Sequence, residues 1–503
     1  MPTKRLLIFV VAYHAEATLA KVFDRVPRSL FVDYDCEVLV IDDASTDRTY
    51  EIGRTYLADH PEFRLRVLRN RYNQGYGGNQ KLGYAYAIKE GFDLVALLHG
   101  DAQYAPEELP ALTKPVADGE ADAVFGSRML VPGAASRGGM PLYKLVGNKI
   151  LTRIQNAVLR TSLSEFHSGY RIYAVATLRR LPFLLNSNDF HFDTEIIIQL
   201  LNLGARIVEL PIPTYYGGEI SRVNGLRYAK NVVVATLRNA SHRAGIYYQR
   251  RYDVETGNAH YGPKLGYASS HSFAVDAVPA GSKVIDIGGG AGFIAARLAA
   301  KDCDVHIVDQ HPAAVTHARV TSETRALDGT APVSTKGYDH VLLLDVIEHV
   351  GSPEIFLESL RAGFDHDKKV LVLSTPNIAF IVQRVQLMLG QFNYGKAGIL
   401  DITHKRLFTF RGIRRLLEDT GFRSIELRGV PAPFPKVLGD GRLGRAALGA
   451  NLALIKLSKT LFSYQIFVVA EGTPAVDFLL EDARASGGAT GGSPASSAHA
   501  VPG

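Results

Sequence analysis

Two strand–turn–helix signatures of different chemistry stand about 240 residues apart in this chain, which points to two separate α/β units. The first is Ile41-Asp42-Asp43-Ala44-Ser45-Thr46-Asp47-Arg48-Thr49, and the second is Val284-Ile285-Asp286-Ile287-Gly288-Gly289-Gly290-Ala291-Gly292-Phe293. Each follows an apolar run of strand length and opens a helix, which is where open α/β sheets hold ligands. One is made of carboxylates and hydroxyls and the other of glycines, so they are not a single site repeated. A length of 503 residues also exceeds one ordinary core.

Apolar runs at 5–12, 37–42, 64–69, 93–98 and 122–125 read as strands of a first parallel sheet, with helices at 15–26, 47–59, 79–90 and 141–159. A helix then a strand at 206–210 ends at Pro211 and Pro213, and the tyrosine-rich segment 226–260 reads as a bridge. A second series starts at 283, with strands at 304–309, 339–344, 369–374, 423–428 and 464–470. Its helices are expected at 292–300, 312–323, 353–363 and 411–420. From 472 the chain is Ala, Gly, Ser and Pro, and disorder is expected. The domains are therefore expected at 1–245 and 246–471, with a tail at 472–503.

A net charge of +6 without a dense Lys/Arg run gives no footprint for nucleic acid. Cys36 and Cys303 lie in different halves and read as buried, reduced thiols. No apolar stretch reaches the length of a membrane span, so a cytoplasmic protein is expected. Contact with the inner membrane face through the apolar, Lys-bearing stretch at 443–462 is left open, beside the alternative that this stretch packs in the second domain.

Asp42 and Asp43 end a strand and can accept hydrogen bonds from a base or ribose, while Ser45 and Asp47 also suit a helix cap. Asp101 ends another strand in a loop with Gln103, and a hard divalent cation prefers such carboxylates. With VAYHAEATL, IDDASTDRT, NQGYGGNQ, LLHGDAQYAPEEL, VFGSRM, HSGYRIY and HFDTE in order, residues 4–240 resemble family 2 glycosyltransferases of the GT-A fold, in the dolichol-phosphate-mannose-synthase-like branch. The resemblance implies a nucleotide-sugar donor, Mg²⁺ or Mn²⁺, and inversion at the anomeric carbon. It places Tyr13, Asp42 and Asp43 on the nucleotide, Asp101 on the metal with Gln103 beside it, and Arg171 and Arg222 on diphosphate or an anionic acceptor. Asp193 and Glu195 are the candidates for a general base, against a capping or salt-bridged role. A phosphate acceptor, such as the polyprenyl phosphate this branch often uses, needs no base. Two departures stand out. Val11, His14, Ala15 and Glu16 occupy a stretch where the family often has a Pro and an Asn-Glu-Glu run. His99 replaces the first Asp of Asp-x-Asp, as a metal ligand or as a passive loop residue.

In the second half Gly288, Gly290 and Gly292 allow a tight turn and close approach of a ligand, and Asp309 ends the next strand where a carboxylate can take ribose hydroxyls. That spacing alone also fits a dinucleotide fold. The run Asp345-Val346-Ile347-Glu348-His349, with STPN at 374–377 and THKRLF at 403–408, makes residues 255–471 resemble class I S-adenosylmethionine-dependent methyltransferases, a Rossmann-like fold. The resemblance implies a seven-stranded sheet with a reversed last strand. Asp286 would face the methionine end of S-adenosylmethionine and Asp345 the adenine or the methyl centre. His349 or His404 would take a proton from a hydroxyl, or serve structurally. The chain is thus expected to transfer a sugar and a methyl group to a glycan, glycolipid or polyprenyl-phosphate acceptor. The alternatives are a methyltransferase with a non-catalytic first half, and a nicotinamide-dependent dehydrogenase in the second.

Overall fold

The computed structural model describes residues 3–213, 224–243, 247–254, 265–327, 333–364, 369–435, 441–476 and 478–480. The chain divides into two compact units, Met1–Ala259 and His260–Gly503.

The first unit contains β1 (Arg5–Ala12), β2 (Asp35–Asp42), β3 (Leu65–Arg69), β4 (Leu94–His99), β5 (Ala123–Ser127), β6 (Arg171–Ala174) and β7 (Ile207–Pro211). They form one sheet in the order β3-β2-β1-β4-β6-β5-β7, parallel except for β6, which runs against both neighbours. The strand β1 explains why this sheet is sandwiched. Leu6, Ile8 and Val10 enter one core and Leu7 and Phe9 the other, so both faces need cover and no polar alternation is left. β6 is not foreseen by the sequence reading. It is four residues long, and its one charged residue, Arg171, points inward.

The helix Tyr76–Lys89 covers one face and begins three residues earlier than expected. Gly83 sits on it against Phe9, where a Cβ would lie 2.1 Å from the ring. Gly83→Ala gains about 1 kcal/mol of helix propensity, but overpacking a close-packed core costs about 1–3 kcal/mol or more. The variant is expected to melt several degrees lower, by calorimetry or circular dichroism.

The expected bridge at 226–260 is instead largely part of the first unit. A helix at Gly225–Arg243 buries Val232, Ala235, Thr236 and Asn239, and packs on the helices Leu142–Leu159 and Phe192–Leu203. Tyr252 is buried in the same core.

The second unit holds β8 (Lys283–Ile287), β9 (Asp304–Asp309), β10 (Val320–Thr324), β11 (His340–Leu344), β12 (Val370–Pro376), β13 (Phe422–Val430) and β14 (Gln465–Gly472). Their order is β10-β9-β8-β11-β12-β14-β13, with β14 antiparallel to both neighbours. This is the seven-stranded sheet with a reversed last strand. The helix expected at 312–323 is absent: residues 320–324 form edge strand β10, favoured by Val320, Thr321 and Thr324, whose branched side chains suit a pleated surface. Gly472 is not tail but the end of β14, paired with Phe422, and its missing side chain leaves room for Phe364. Residues 481–503 lie outside the described residues. The stretch at 443–462 falls on a helix, Arg442–Leu457, followed by a short one. The long helix buries Gly444 and Asn451 and leaves Leu443 and Leu457 exposed. Both cysteines are free and buried.

Candidate active sites

In both sheets the strand order reverses beside the first strand, between β1 and β4 and between β8 and β11. The crevice outside the carboxyl ends at such a point is where an open α/β sheet binds its ligand. Backbone strain marks the first crevice. His14, Ala44 and Ala102 have φ of 51°, 58° and 61°, and they follow β1, β2 and β4, three adjacent strands. Non-glycine residues in this region are uncommon and concentrate at functional sites. Nothing in the residue types announces this strain: His14 stands out in the sequence only as a departure from the family pattern, and the two alanines not at all.

Around that crevice Tyr13 is exposed, with its ring edge-on to His14 at 4.3 Å. Asp42 is buried. Its Oδ1 accepts from the Ser45 N–H at 3.1 Å, and Arg69 Nε lies 3.4 Å from Oδ2. Asp43 is also buried and organises the Asn73–Gly75 turn. Its Oδ1 accepts from Asn70 Nδ2 and the Gln74 N–H, and its Oδ2 from the Gly75 N–H. Its carboxylate therefore fixes the turn that follows β3. Asp101 is exposed, and its Oδ1 accepts from the Gln103 N–H at 3.0 Å. His99 is partly buried, with Nε2 3.2 Å from the Tyr76 hydroxyl, so only Nδ1 could join Asp101 on a metal. Burial holds its pKa below the usual histidine value. Among the described residues, His99 and Asp101 gather no third His, Cys, Asp or Glu ligand.

Three assignments change. Arg171 is 1% exposed, and its Nε, Nη1 and Nη2 donate to the carbonyls of Ser168, Asp193 and Phe166. Burial opposes its charge, but the Asp193 carboxylate 3.5 Å away, together with Tyr173 and Tyr76, raises its pKa on balance. It is a structural brace for the loop and cannot turn to a diphosphate. Asp193 lies at the crevice, but its Oδ1 accepts from Gln80 and its Oδ2 from Tyr76, with Arg171 alongside. Both oxygens of this carboxylate are thus engaged by protein groups. Glu195 is buried, paired with Arg251 and accepting from the Ser187 N–H, so it staples the helix Phe192–Leu203 in place and is no base. Arg222 lies outside the described residues.

The second crevice is lined by the glycine turn after β8. Gly288, Gly290 and Gly292 all have positive φ, and the Gly290 N–H donates to Asp309 Oδ2 at 2.9 Å, so Asp309 closes the turn. A Cβ on Gly288 would lie 2.4 Å from Val346, whereas one on Gly290 would meet open space. Gly288 thus serves packing, and Gly290 leaves a free approach to the backbone. Asp286 is 1% exposed, and its Oδ2 has no hydrogen-bond partner among the described residues. Burial, and then the charge of Asp309, raise its pKa to about 7. Asp345, at φ 57°, accepts from Ser374 Oγ and Gln465 Nε2. The rings of His349 and His404 stand edge to face at 4.8 Å, beside buried Glu348. Burial raises the Glu348 pKa and lowers that of His404.

The sequence profile "Glycosyl transferase family 2" matches residues 7–181, and the profile "Methyltransferase domain" matches residues 259–427. The undecaprenyl-phosphate mannosyltransferase of Micrococcus luteus is 32% identical over 198 residues, 39% of this chain and 75% of that protein. The chain belongs to glycosyl transferase family 2 and carries a methyltransferase domain. The polyprenol monophosphomannose synthase of Mycolicibacterium smegmatis is 27% identical to this family 2 transferase over 212 residues, 42% of this chain and 77% of that protein. A solved glucosyl-3-phosphoglycerate synthase of Mycobacterium tuberculosis with Mn²⁺ and UDP aligns at 20% identity and a TM-score of 0.35, covering 47% of this chain and 80% of that one. No helix among the described residues is long and apolar enough to cross a membrane.

In the methyltransferase domain, Gly288→Ala combines a positive φ with the Val346 clash. A loss of about 2–4 kcal/mol is expected, from overpacking and backbone strain together. Chemical denaturation checks it, and Gly290→Ala should cost less because only strain applies.

Proposed function

We propose that the first unit transfers a sugar from a nucleotide-sugar donor to a polyprenyl-phosphate acceptor, and that the second transfers a methyl group from S-adenosylmethionine. The observation that carries the acceptor class is the loss of a general base. Both candidate carboxylates, Asp193 and Glu195, are already engaged. A phosphate monoester is ionised near neutral pH and attacks without one, whereas a hydroxyl acceptor needs a base. The names of the two bacterial relatives agree with this reading.

At the donor, Asp101 fits a hard cation, Mg²⁺ or Mn²⁺, because its carboxylate is exposed at the crevice. Such a cation would offset charge on the departing diphosphate. With Asp101 as the one carboxylate placed there among the described residues, oxygens of the donor would complete the coordination. Asp42, Asp43 and Tyr13 hold the nucleotide, and Gln103 flanks Asp101. Asp101→Asn is expected to lower sugar transfer about 100-fold or more while leaving methyl transfer unchanged. Labelled sugar in the lipid extract and labelled methyl in the product are measured on the same sample. Equal loss of both would reject separate sites.

The lipid acceptor finds support on the helix Leu142–Leu159. Leu142, Val146, Ile150 and Ile154 are exposed at spacings of four, next to Tyr143 and with Lys149 and Arg153 nearby. This is the pattern of a helix lying at a bilayer surface. Ile150→Glu should reduce co-flotation with anionic vesicles several-fold, and unchanged flotation would remove this support.

In the second unit the residues fit S-adenosylmethionine. The buried, unpartnered Asp286 oxygen suits an ammonium, and the open space at Gly290 admits a ligand against the backbone. The cofactor would supply a methyl group on a sulfonium. Asp309 presents a carboxylate for ribose hydroxyls, and Asp345, fixed by Ser374 and Gln465, is positioned rather than mobile. Calorimetric titration with S-adenosylmethionine and with NAD tests the assignment; binding of NAD alone would favour the dehydrogenase reading.

A further inference from the structure

Three side chains converge beside the second crevice: one oxygen of Glu348 and one ring nitrogen each of His349 and His404, all within 4.8 Å of one another. Hydrogen bonds hold all three side chains and, among the described residues, occupy one nitrogen of each ring and one oxygen of Glu348. His349 Nδ1 lies 3.2 Å from the Thr403 carbonyl and His404 Nδ1 lies 2.9 Å from the Ile399 carbonyl. A carbonyl only accepts, so both Nδ1 atoms carry a proton, and in the neutral form of each ring Nε2 presents a lone pair. Glu348 is 1% exposed. Its Oε2 accepts from Thr375 Oγ1 at 3.1 Å, and its Oε1 has no hydrogen-bond partner among the described residues. The loop carrying His404 is tied to the same turn, because the Lys405 and Arg406 N–H groups donate to the Glu348 carbonyl.

A general base would require a single Nε2. Two neutral imidazoles and a buried carboxylate, each oriented through its other atom, form the pattern of a metal site with its outer shell in place. We propose that Glu348, His349 and His404 bind one divalent first-row cation, of the Mn²⁺, Co²⁺ or Zn²⁺ type, which receives the oxygen of the methyl acceptor. Donors on a cation with bonds of about 2.0–2.2 Å stand roughly 3.4 Å apart, so a ring movement of about 1 Å closes the set. Three protein ligands leave further positions open for a ligand oxygen.

The location fits that use and rests on the methyltransferase reading. Val346, two residues before Glu348, touches Gly288 of the glycine turn, and Asp345 opens the same segment. An acceptor hydroxyl on the cation becomes more acidic and loses its proton to water. Its oxygen then forms the O–C bond as the S–C bond of the sulfonium breaks. Sulfur keeps the electron pair and leaves as a neutral thioether, with no redox change.

The test uses the full chain carrying Asp101→Asn, so that the first unit does not contribute. After chelator treatment it is titrated with Co²⁺, and the visible absorption and bound metal are read. About one equivalent is expected. Glu348→Gln, His349→Gln and His404→Gln should each weaken uptake about 10-fold or more. His349 is partly exposed, so its variant keeps the test valid if the buried Glu348→Gln fails to fold, which thermal melting would show. No uptake by the Asp101→Asn protein, or equal uptake by all folded variants, overturns the proposal. S-adenosylmethionine binding is measured on the same samples. Binding of it without Co²⁺ uptake removes the cation and keeps the methyltransferase reading; Co²⁺ uptake without it does the reverse.

Discussion

Asp286→Asn is expected to stabilise the ligand-free second unit at pH 8 and, in the same molecule, to abolish S-adenosylmethionine binding. The carboxyl is buried with an unpartnered oxygen, and its pKa is raised to about 7 by burial and then by Asp309. In the unfolded chain it returns to the ordinary carboxylate value near 4. Between those two pH values the folded state binds the extra proton, so stability falls as pH rises through this window. Above pH 7 both states are ionised, and the folded one carries a penalty on the order of 3–4 kcal/mol. Asn keeps the shape without the charge and removes that penalty. Melting of the wild-type unit should therefore rise from pH 8 to pH 5.5, and the variant should show little of this slope. Ligand affinity should run the opposite way. An ammonium beside Asp286 favours the carboxylate, so binding at pH 6 releases a proton and weakens roughly tenfold per pH unit below 7. Calorimetry in two buffers of different ionisation enthalpy reads the proton directly. Affinity independent of pH would mean that Asp286 does not meet the ligand's charge.

Arg171→Met is expected to unfold or severely destabilise the first unit. Removing one partner of a buried pair leaves Asp193 uncompensated, at a cost of about 3–5 kcal/mol. Three carbonyls also lose their donor. For a unit of this size the melting temperature should fall by about 10 °C or more. The double change Arg171→Met with Asp193→Asn should recover part of the loss, because the stranded charge is gone. If Arg171 instead held phosphate, the single variant would melt normally and bind donor weakly. Differential scanning calorimetry with donor titration below the melting range separates the two outcomes.

These two predictions also show what was legible. The glycine turn, Asp286 and the strand-ending aspartates are local signals, since strand, turn and helix follow within about ten residues. The apolar runs gave most strands directly. The segment 312–323 is too polar to show either period clearly, and edge pairing with β9 makes 320–324 a strand rather than the expected helix. Strand β6 was hidden because only four residues of it pair. Among site residues, Arg171, Asp193 and Glu195 all looked available for chemistry. Their partners could not be guessed: Glu195 meets Arg251 from 56 positions away. The same distance effect worked in the other direction for His349 and His404, which looked like alternative bases and came together around Glu348.

The amino-acid order, taken alone, settled that there are two α/β units, one acidic and one glycine-lined, because short-range patterns of apolar, acidic and glycine residues dictate where strands end. Only the folded arrangement decided which polar groups are spent and which remain for a ligand. A charged side chain in a low-dielectric interior must find a partner, and that partner is chosen by the packing of remote segments rather than by neighbours along the chain.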